Sequence, residues 1–170
     1  MPCDKSALLE FLEVLNDDLT RKITLVAAGG TAMTLLDLKP STIDIDFTIP
    51  SSDLPEFERA LKNNPPGFKV DRWADGYVFC QSLPDDYLDK SIEIKEYSHI
   101  SLRALNPVDI IVTKIGRLNH RDIQDIETCI TAFKITKDQI TARAALVSPT
   151  YVPREEDYLY HLERVIQKFF

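Results

Sequence analysis

The chain has few of the residues that mark several common classes of protein. Among 170 residues there are five glycines and three cysteines, and 20 Lys and Arg stand against 27 Asp and Glu, for a net charge of −7. A generic nucleic-acid-coating protein needs clustered positive charge to hold phosphate backbones, which this acidic composition does not favour. The cysteines are odd in number and widely spaced, so we expect reduced thiols rather than a disulfide framework or a zinc site.

Long hydrophobic runs are also missing. No apolar run approaches the roughly 18–20 residues of a membrane span, and the N-terminal segment mixes acids into its apolar stripe, unlike a signal peptide. We therefore expect a cytoplasmic protein without a membrane partner. Its contents of 44% hydrophobic and 28% charged residues are typical of a globular protein, and the length suits one domain with its own core.

The order of hydrophobic patterns predicts an α+β fold. Residues 1–105 alternate helical and strand patterns, whereas residues 106–170 are helical and form an extension that we expect to belong to the same domain. We predict a mixed β-sheet with helices packed on one face, and a hairpin turn at Asp75-Gly76. The predicted strands cover residues 23–28, 43–49, 68–73, 77–81 and 91–97.

Two of the five glycines stand together directly after an apolar segment. Gly29 and Gly30 follow the strand predicted at residues 23–28, and Thr31 opens a short predicted helix. A missing side chain allows a tight turn and lets a ligand approach the backbone. Free N–H groups and the dipole at a helix start favour phosphate. The alternative interpretation is an ordinary strand-to-helix turn.

Two aspartates follow in the next predicted strand. Asp44 and Asp46 alternate with Ile43, Ile45 and Phe47, which in a strand places both carboxylates on one face, with Cα atoms about 6.5–7 Å apart, and the apolar set on the other. Two converging carboxylates suit Mg²⁺ in a phosphoryl-transfer site. A strand with one solvated face is the alternative, although Asp is depleted in strands.

Together these segments, GGTAM followed by STIDIDF, resemble the signature of the DNA polymerase β-type nucleotidyltransferase superfamily. They are most similar to its small prokaryotic members, the minimal nucleotidyltransferases and the abortive-infection toxin type. The resemblance implies that Asp44 and Asp46 bind Mg²⁺ or Mn²⁺ and that the triphosphate of an NTP lies at Gly29, Gly30 and Thr31. It also implies transfer of a nucleoside monophosphate to a hydroxyl of RNA or tRNA, a protein or a small molecule.

A third carboxylate normally completes the site of this superfamily from a neighbouring strand. Glu93 is the candidate, because it alternates with Ile92 and Ile94 in the strand predicted at residues 91–97. Its side chain points either to the site or to water, depending on the register of that strand.

A basic pattern follows in KIGRLNHRDIQDI. On one continuous helix, Lys114, Arg117 and Arg121 would form a basic stripe at i, i+3 and i+7. The pattern resembles the later motifs of the toxin-type enzymes, which implies that Lys114 and Arg117 contact the triphosphate. By the same match, Asp122 or Asp125 completes the acidic site or orders the lysine. The alternatives are a solvated helix face and a helix cap at Asp122.

The sequence leaves two functions open. One is a nucleotidyltransferase, and the other is a domain of this superfamily that has lost catalysis and serves as a binding or regulatory module, such as one half of a toxin–antitoxin pair. An antitoxin or a second copy of the chain is the corresponding partner. We expect Trp73 and the C-terminal aromatic residues to pack in the core or at a dimer contact.

Overall fold

The structure, a computed structural model, describes residues 1–170 and contains nine strands, eight α-helices and a 3₁₀-helix at Ser148–Thr150. The strands are β1 (Cys3–Asp4), β2 (Ile23–Ala27), β3 (Ser41–Thr42), β4 (Ile45–Ile49), β5 (Val70–Ala74), β6 (Tyr77–Val78), β7 (Gln81–Ser82), β8 (Ile92–Glu96) and β9 (Ile100–Ala104). The helices are α1 (Lys5–Asp18), α2 (Gly29–Leu35), α3 (Leu54–Asn63), α4 (Tyr87–Lys90), α5 (Pro107–Ile115), α6 (His120–Phe133), α7 (Lys137–Val147) and α8 (Glu155–Phe169).

Five strands form the central sheet in the order β5-β4-β2-β9-β8. Strand β2 is antiparallel to β4 and parallel to β9, β4 is parallel to β5, and β8 is antiparallel to β9. The sheet is therefore mixed, and the predicted α+β class is confirmed. Every residue of β4 is buried, so both faces of this strand are covered, including the face that carries Asp46 and Thr48.

Side chains cap the starts of α1 and α5. The Asp4 carboxylate accepts a hydrogen bond from the backbone N–H of Ala7 (2.8 Å) at the start of α1. Asn106 accepts one from the N–H of Asp109 (3.1 Å) at the start of α5, where Pro107 occupies the first turn. The predicted helical run after residue 106 is confirmed by α5, α6, α7 and α8. No helix is both long enough and apolar enough to cross a membrane.

The hairpin predicted across Asp75-Gly76 is wrong. Both residues have positive φ angles, 51° and 84°, so the tight turn is present. However, the N–H of Asp75 donates to the carbonyl of Ile49 (3.0 Å) and that of Gly76 donates to Thr48 Oγ1 (2.8 Å). The turn is thus fixed to β4, and the chain after it forms a separate hairpin, β6–β7, instead of pairing with β5.

Strand β9 is a central strand that the sequence prediction missed. It lies between β2 and β8 and buries Ile100, Leu102 and Ala104 completely. The signal was present, because these three residues alternate with Ser101 and Arg103 at the period of a strand. Its closeness to the end of β8 concealed it.

A buried ion pair joins α7 to α5 and generates a prediction for stability. Arg143 donates two hydrogen bonds to the buried carboxylate of Asp109, at 2.6 and 3.0 Å. Arg143→Met leaves this carboxylate without its charged partner, so we expect the free energy of unfolding to fall by about 3–5 kcal/mol. Urea denaturation measures it. The matched control is Arg154→Met, which breaks an exposed pair with Asp157 and should change stability by less than about 1 kcal/mol. Equal losses in the two variants would contradict the prediction.

Candidate active site

A cavity of about 540 Å³ lies beside β4 and β5, and its wall is strongly charged. Its volume falls in the range of about 300–1,000 Å³ that is usual for small-molecule sites. Five carboxylates and five cations line it: Asp44, Asp46, Asp71, Asp122, Asp125, Lys39, Lys69, Lys114, Arg117 and Arg121. The charges therefore balance overall, but they are arranged in two groups with different partners.

The first group centres on two facing aspartates. Asp46 on β4 lies directly opposite Asp71 on the parallel strand β5, and neighbouring strands are only about 4.8 Å apart. Like charges in this position destabilise a sheet. Burial and, to a smaller extent, the charges of Asp71 and Asp44 together raise the pKa of Asp46 to about 7, against the opposing effects of Arg117 and Lys114. This pair of strands holds negative charge that a cation would stabilise.

Asp44 lies in a bend rather than in the strand. The strand predicted at residues 43–49 begins at Ile45, and Ile43 is 53% exposed, so the prediction that Ile43 joins the buried apolar face is wrong. The reason is that the preceding residues form β3, which pairs with β1, and Thr42 Oγ1 donates to the carbonyl of Asp44 (2.9 Å). Asp44 and Asp46 nevertheless line the same cavity.

The Gly-Gly-Thr turn contacts both of these aspartates. Gly29 has a φ of +53°, and a Cβ atom there would lie 3.1 Å from both Asp46 Oδ2 and Phe79 Cζ. Thr31 Oγ1 accepts a hydrogen bond from the backbone N–H of Asp46 (2.9 Å) and donates to the carbonyl of Asp44 (3.2 Å). The turn therefore fixes the backbone of both acidic residues and leaves room for the Asp46 carboxylate.

Only one of the three residues predicted at the phosphates lines the cavity. Gly30 does so, whereas Gly29 does not and the Thr31 side chain is completely buried. A Cβ atom at Gly30 would lie 2.7 Å from Thr42 Oγ1. The geometry thus gives Gly29 and Thr31 a positioning role and leaves the backbone at Gly30 beside the cavity.

The second charged group is a chain of shared ion pairs. Lys114, only 2% exposed, donates to Asp125 (2.8 Å) and to Asp122 (3.3 Å). Lys39 approaches Asp125 from the loop after α2 (3.1 Å), and Arg117 donates two hydrogen bonds to Asp122 (2.8 and 2.7 Å). Each of these carboxylates is therefore shared by two cations.

Asp122 combines the two roles that the sequence left open. It accepts a hydrogen bond from the N–H of Asn119 (3.1 Å), which completes the capping box of α6, and it also binds Lys114 and Arg117. Burial opposes its charged form, but the hydrogen bonds from Arg117 and the charge of Lys114 outweigh burial, so the pKa of Asp122 is lowered. Its roughly four acceptor positions are all used, so its carboxylate orders the lysine rather than facing a metal.

Lys114, Arg117 and Arg121 do not lie on one continuous helix, which was the condition for a basic stripe. Helix α5 ends at Ile115 and α6 begins at His120, because Leu118 has a φ of +43° and Asn119 caps the next helix. The reversal nevertheless brings Lys114, Arg117 and Arg121 to the same cavity.

The structure does not bring Glu93 to this cavity. Strand β8, which carries it, is the edge strand of the sheet and is separated from β4 by β2 and β9. The Glu93 side chain is 75% exposed and pairs with Arg103 (3.2 Å). The prediction that Glu93 completes the acidic site is therefore corrected: the carboxylate from a neighbouring strand is Asp71.

Sequence reasoning missed Asp71, Lys39 and Lys69. Asp71 lies in a segment that was predicted as a strand, and the depletion of Asp in strands, which marked Asp44 and Asp46, applies to it equally. Lys69 lies 2.9 Å from Asp71. Lys39 gave no signal, because a lysine in a loop is most often solvated.

The acidic group fits a metal only in part. No three His, Cys, Asp or Glu side chains form a metal site by themselves. Mg²⁺, however, is usually held by one or two carboxylates together with substrate phosphates. The elevated pKa of Asp46 among like charges fits a site of this kind, in which Asp44 and Asp46 supply part of the ligands.

The sequence of residues 6–168 matches the model of a family described as nucleotidyltransferase of unknown function (DUF6036). The chain belongs to this family. No curated protein sequence matches the chain at a significant level. The superfamily inferred from the glycine and aspartate motifs is therefore confirmed, whereas the narrower resemblance to toxin-type enzymes stays a prediction.

Two solved structures have a similar fold. One is the crystal structure of ANT(2″)-Ia in complex with adenylyl-2″-tobramycin, with a TM-score of 0.53 and 14% identity over 82% of this chain and 94% of that chain. The other is the solution structure of the antibiotic-resistance factor ANT(2″)-Ia, with a TM-score of 0.52 and 15% identity over 81% and 88%. These likenesses show a nucleotidyltransferase-like fold.

The elevated pKa of Asp46 predicts how the stability of the metal-free protein depends on pH. The folded state binds the proton of the Asp46 carboxyl more tightly than the unfolded state, in which this group has its ordinary pKa of 3.8. The associated stability is fully present below that value and is lost as the pH rises through about 7. In EDTA, we expect the free energy of unfolding to fall between about pH 4 and about pH 7 and to be level above that. The Asp46→Asn variant should lack this decline and be more stable than the wild type at the upper end.

Thermal and urea denaturation across this pH range provide the measurement. Asp85→Asn removes an exposed carboxylate and should keep the wild-type slope. An unchanged slope in Asp46→Asn would show that another group causes the pH dependence.

The burial of Lys114 predicts that its removal affects the fold. Lys114→Met leaves two buried carboxylates with fewer cations, so we expect a loss of about 3–5 kcal/mol in the free energy of unfolding. Lys90→Met is the control, because Lys90 makes only a long, exposed pair with Asp86 (3.8 Å) and should stay within about 0.5 kcal/mol of the wild type. If Lys114→Met is as stable as this control, the ion-pair chain contributes nothing to the fold.

Proposed function

We propose that the protein is a Mg²⁺-dependent nucleotidyltransferase that transfers a nucleoside monophosphate from an NTP to an acceptor hydroxyl and releases pyrophosphate. The buried Asp46 carries this proposal, because it faces Asp71 and shares a cavity with Asp44, Lys39 and Arg117. The cavity thus offers carboxylates that could hold a metal and cations that could hold the phosphates of a metal-bound triphosphate.

Asp44 and Asp46 would hold the Mg²⁺, or Mn²⁺ in its place, together with phosphate oxygens of the nucleotide. When bound, the metal would neutralise charge that develops on the phosphates during transfer. The protein itself contributes two carboxylates whose backbone is fixed by Thr31, so little reorganisation is needed when the nucleotide binds.

The cations of the ion-pair chain would orient the triphosphate. The Arg117 side chain is 48% exposed and that of Lys39 is 31% exposed, so both can reach a ligand. Lys114 lines the cavity but is held by Asp122 and Asp125. We infer that its charge supports the site from beneath and that Arg117 makes the main contact with phosphate.

We assign the third carboxylate to Asp71. It is partly exposed, with 32% of its side chain accessible, and it lies opposite Asp46. In this role its carboxylate accepts the proton of the acceptor hydroxyl while the hydroxyl oxygen attacks the α-phosphorus. The bond between the α- and β-phosphates then breaks, and pyrophosphate leaves.

Two observations outside the cavity bear on the acceptor, the net charge of the chain and its similarity in fold to a solved structure. The net charge of −7 favours a small molecule or a protein over RNA or tRNA, because RNA binding gains from positive surface charge. One protein of similar fold was solved in complex with an adenylylated antibiotic. Hydroxyl-rich small molecules are therefore the first class of acceptor to test. An antitoxin or homodimer partner and a cytoplasmic location stay sequence-based predictions.

One observation favours the alternative of a noncatalytic binding module. Lys114, Arg117 and Lys39 are already paired with aspartates. Such a domain would bind a nucleotide without transferring it.

A transfer assay separates the two functions. The protein is incubated with each α-labelled NTP and Mg²⁺ or Mn²⁺, in the presence of hydroxyl-rich small molecules, total protein or total tRNA. We expect label on one acceptor class and equimolar release of pyrophosphate. Nucleotide binding without transfer to any acceptor would contradict the enzymatic proposal and support the binding module.

Replacing one carboxylate tests the assignment of the metal ligands. Asp44→Asn keeps the shape of an exposed side chain and removes its charge, so transfer should fall about 100-fold or more while the melting temperature is unchanged. Glu93→Gln is the matched control on β8 and should retain full activity. Equal activities in the two variants would exclude Asp44 as a ligand.

A further inference from the structure

The charged cavity contains an aromatic region formed by Trp73 and Phe79. With Ile43, these are its three apolar side chains. The two rings pack edge to face, with centroids 5.3 Å apart, and the Arg117 guanidinium lies 4.6 Å from the centroid of Phe79. Trp73 packs against the hydrophobic core, as the sequence-based expectation allowed, but it is only partly buried and also lines the cavity.

The backbone at Phe79 is unusual. Phe79 is the first residue of the two-residue turn that joins Val78 of β6 to Gln81 of β7, and its φ is +56°. A turn with positive φ at this position normally has glycine there. A bulky residue in this conformation is uncommon, and such strain is concentrated at binding and catalytic sites. The turn therefore holds an aromatic ring at the cavity against the local preference of the chain.

The strand register places the aromatic region at a defined position relative to the carboxylates. Trp73 follows Asp71 by two residues on β5, and the paired residues on β4 are Thr48 and Asp46. Residues two apart lie on the same face of a strand, about 6.6 Å along it. A nucleotide whose phosphates lie at the carboxylates could span this interval with its sugar and bring its base to the rings.

We propose that Trp73 and Phe79 form the surface on which the nucleobase of the NTP stacks. This inference rests on the proposed function, and it assigns the part of the substrate that the charged residues leave unbound. Stacking on aromatic rings tolerates any base, because every base has a π-face. The Arg117 guanidinium lies over the ring of Phe79 and also pairs with Asp122. It therefore lies between the surface proposed for the base and the residues proposed for the phosphates. Fixing the base in this way would hold the α-phosphate in position for attack.

Trp73 is the single tryptophan of the chain, so its fluorescence reports directly on this surface. The wild-type protein is titrated with ATP, GTP, CTP, UTP and inorganic tripolyphosphate, each with Mg²⁺, while calorimetry measures binding independently. We expect saturable quenching with all four nucleotides. Tripolyphosphate should bind more weakly and without quenching, because it has the phosphates but no base.

A matched pair of substitutions tests the role of the second ring. Phe79→Leu keeps an apolar side chain but removes the ring, and NTP affinity should fall about 5- to 150-fold with the affinity for tripolyphosphate unchanged. Phe133→Leu makes the same change on a partly exposed residue outside the cavity and should leave both affinities unchanged. Phe79→Tyr should restore NTP binding, and circular dichroism confirms that each variant is folded.

The outcomes distinguish this inference from the function on which it rests. If Phe79→Leu weakens NTP and tripolyphosphate equally, or if nucleotides bind without quenching Trp73, base stacking is overturned while the phosphate site stands. If the variant binds NTP normally but has a higher KM for the acceptor, the rings serve the acceptor and the inference is also overturned. If neither NTP nor tripolyphosphate binds to the wild type, the proposed function fails and the inference fails with it.

Discussion

The burial of Asp46 directly opposite a second aspartate, Asp71 on the adjacent parallel strand, is the constraint on which the rest of the site depends. Burial is the main cause, and repulsion by Asp71 the next, of the rise in the pKa of Asp46 to about 7. The surrounding chain accommodates this arrangement rather than relieving it. Gly29 leaves space for the carboxylate, and Thr31 fixes the strand backbone. A fold that maintains such a pair against its own stability has a site prepared for a cation, and a metal-bound triphosphate supplies one.

The second charged group of the cavity is a chain of ion pairs. Positive and negative side chains alternate along it in the order Lys39, Asp125, Lys114, Asp122 and Arg117. The buried members are fully paired, while the exposed side chain of Arg117 can exchange its partner for a ligand. This arrangement places the positive charges of Arg117 and Lys114 close to Asp46, while their hydrogen bonds go to Asp122 and Asp125. A net charge of −7 is therefore compatible with the proposed phosphate site, since the charge that matters is local.

Sequence patterns predicted the α+β class and the helical run after residue 106, because hydrophobic periodicity is a local property. They failed where partners distant in the chain decide the outcome. Glu93 and Asp71 have similar strand contexts, and only the strand order β5-β4-β2-β9-β8 places one beside Asp46 and the other at the far edge. The break between α5 and α6 depends on a positive φ at Leu118. The burial of Lys114 depends on carboxylates 8 and 11 residues further along the chain. The strand order and the burial of Lys114 depend on contacts between elements, whereas the capping box of Asn119 and Asp122 is a local signal for the break between α5 and α6.

Manganese binding, followed by electron paramagnetic resonance with and without a non-hydrolysable NTP, tests the central claim most directly. The protein alone offers an incomplete set of carboxylates, and phosphate oxygens of the nucleotide should complete it. The account predicts weak Mn²⁺ binding to the protein alone and one tightly bound Mn²⁺ when protein and nucleotide are both present. An affinity for Mn²⁺ that is the same with and without nucleotide would contradict it.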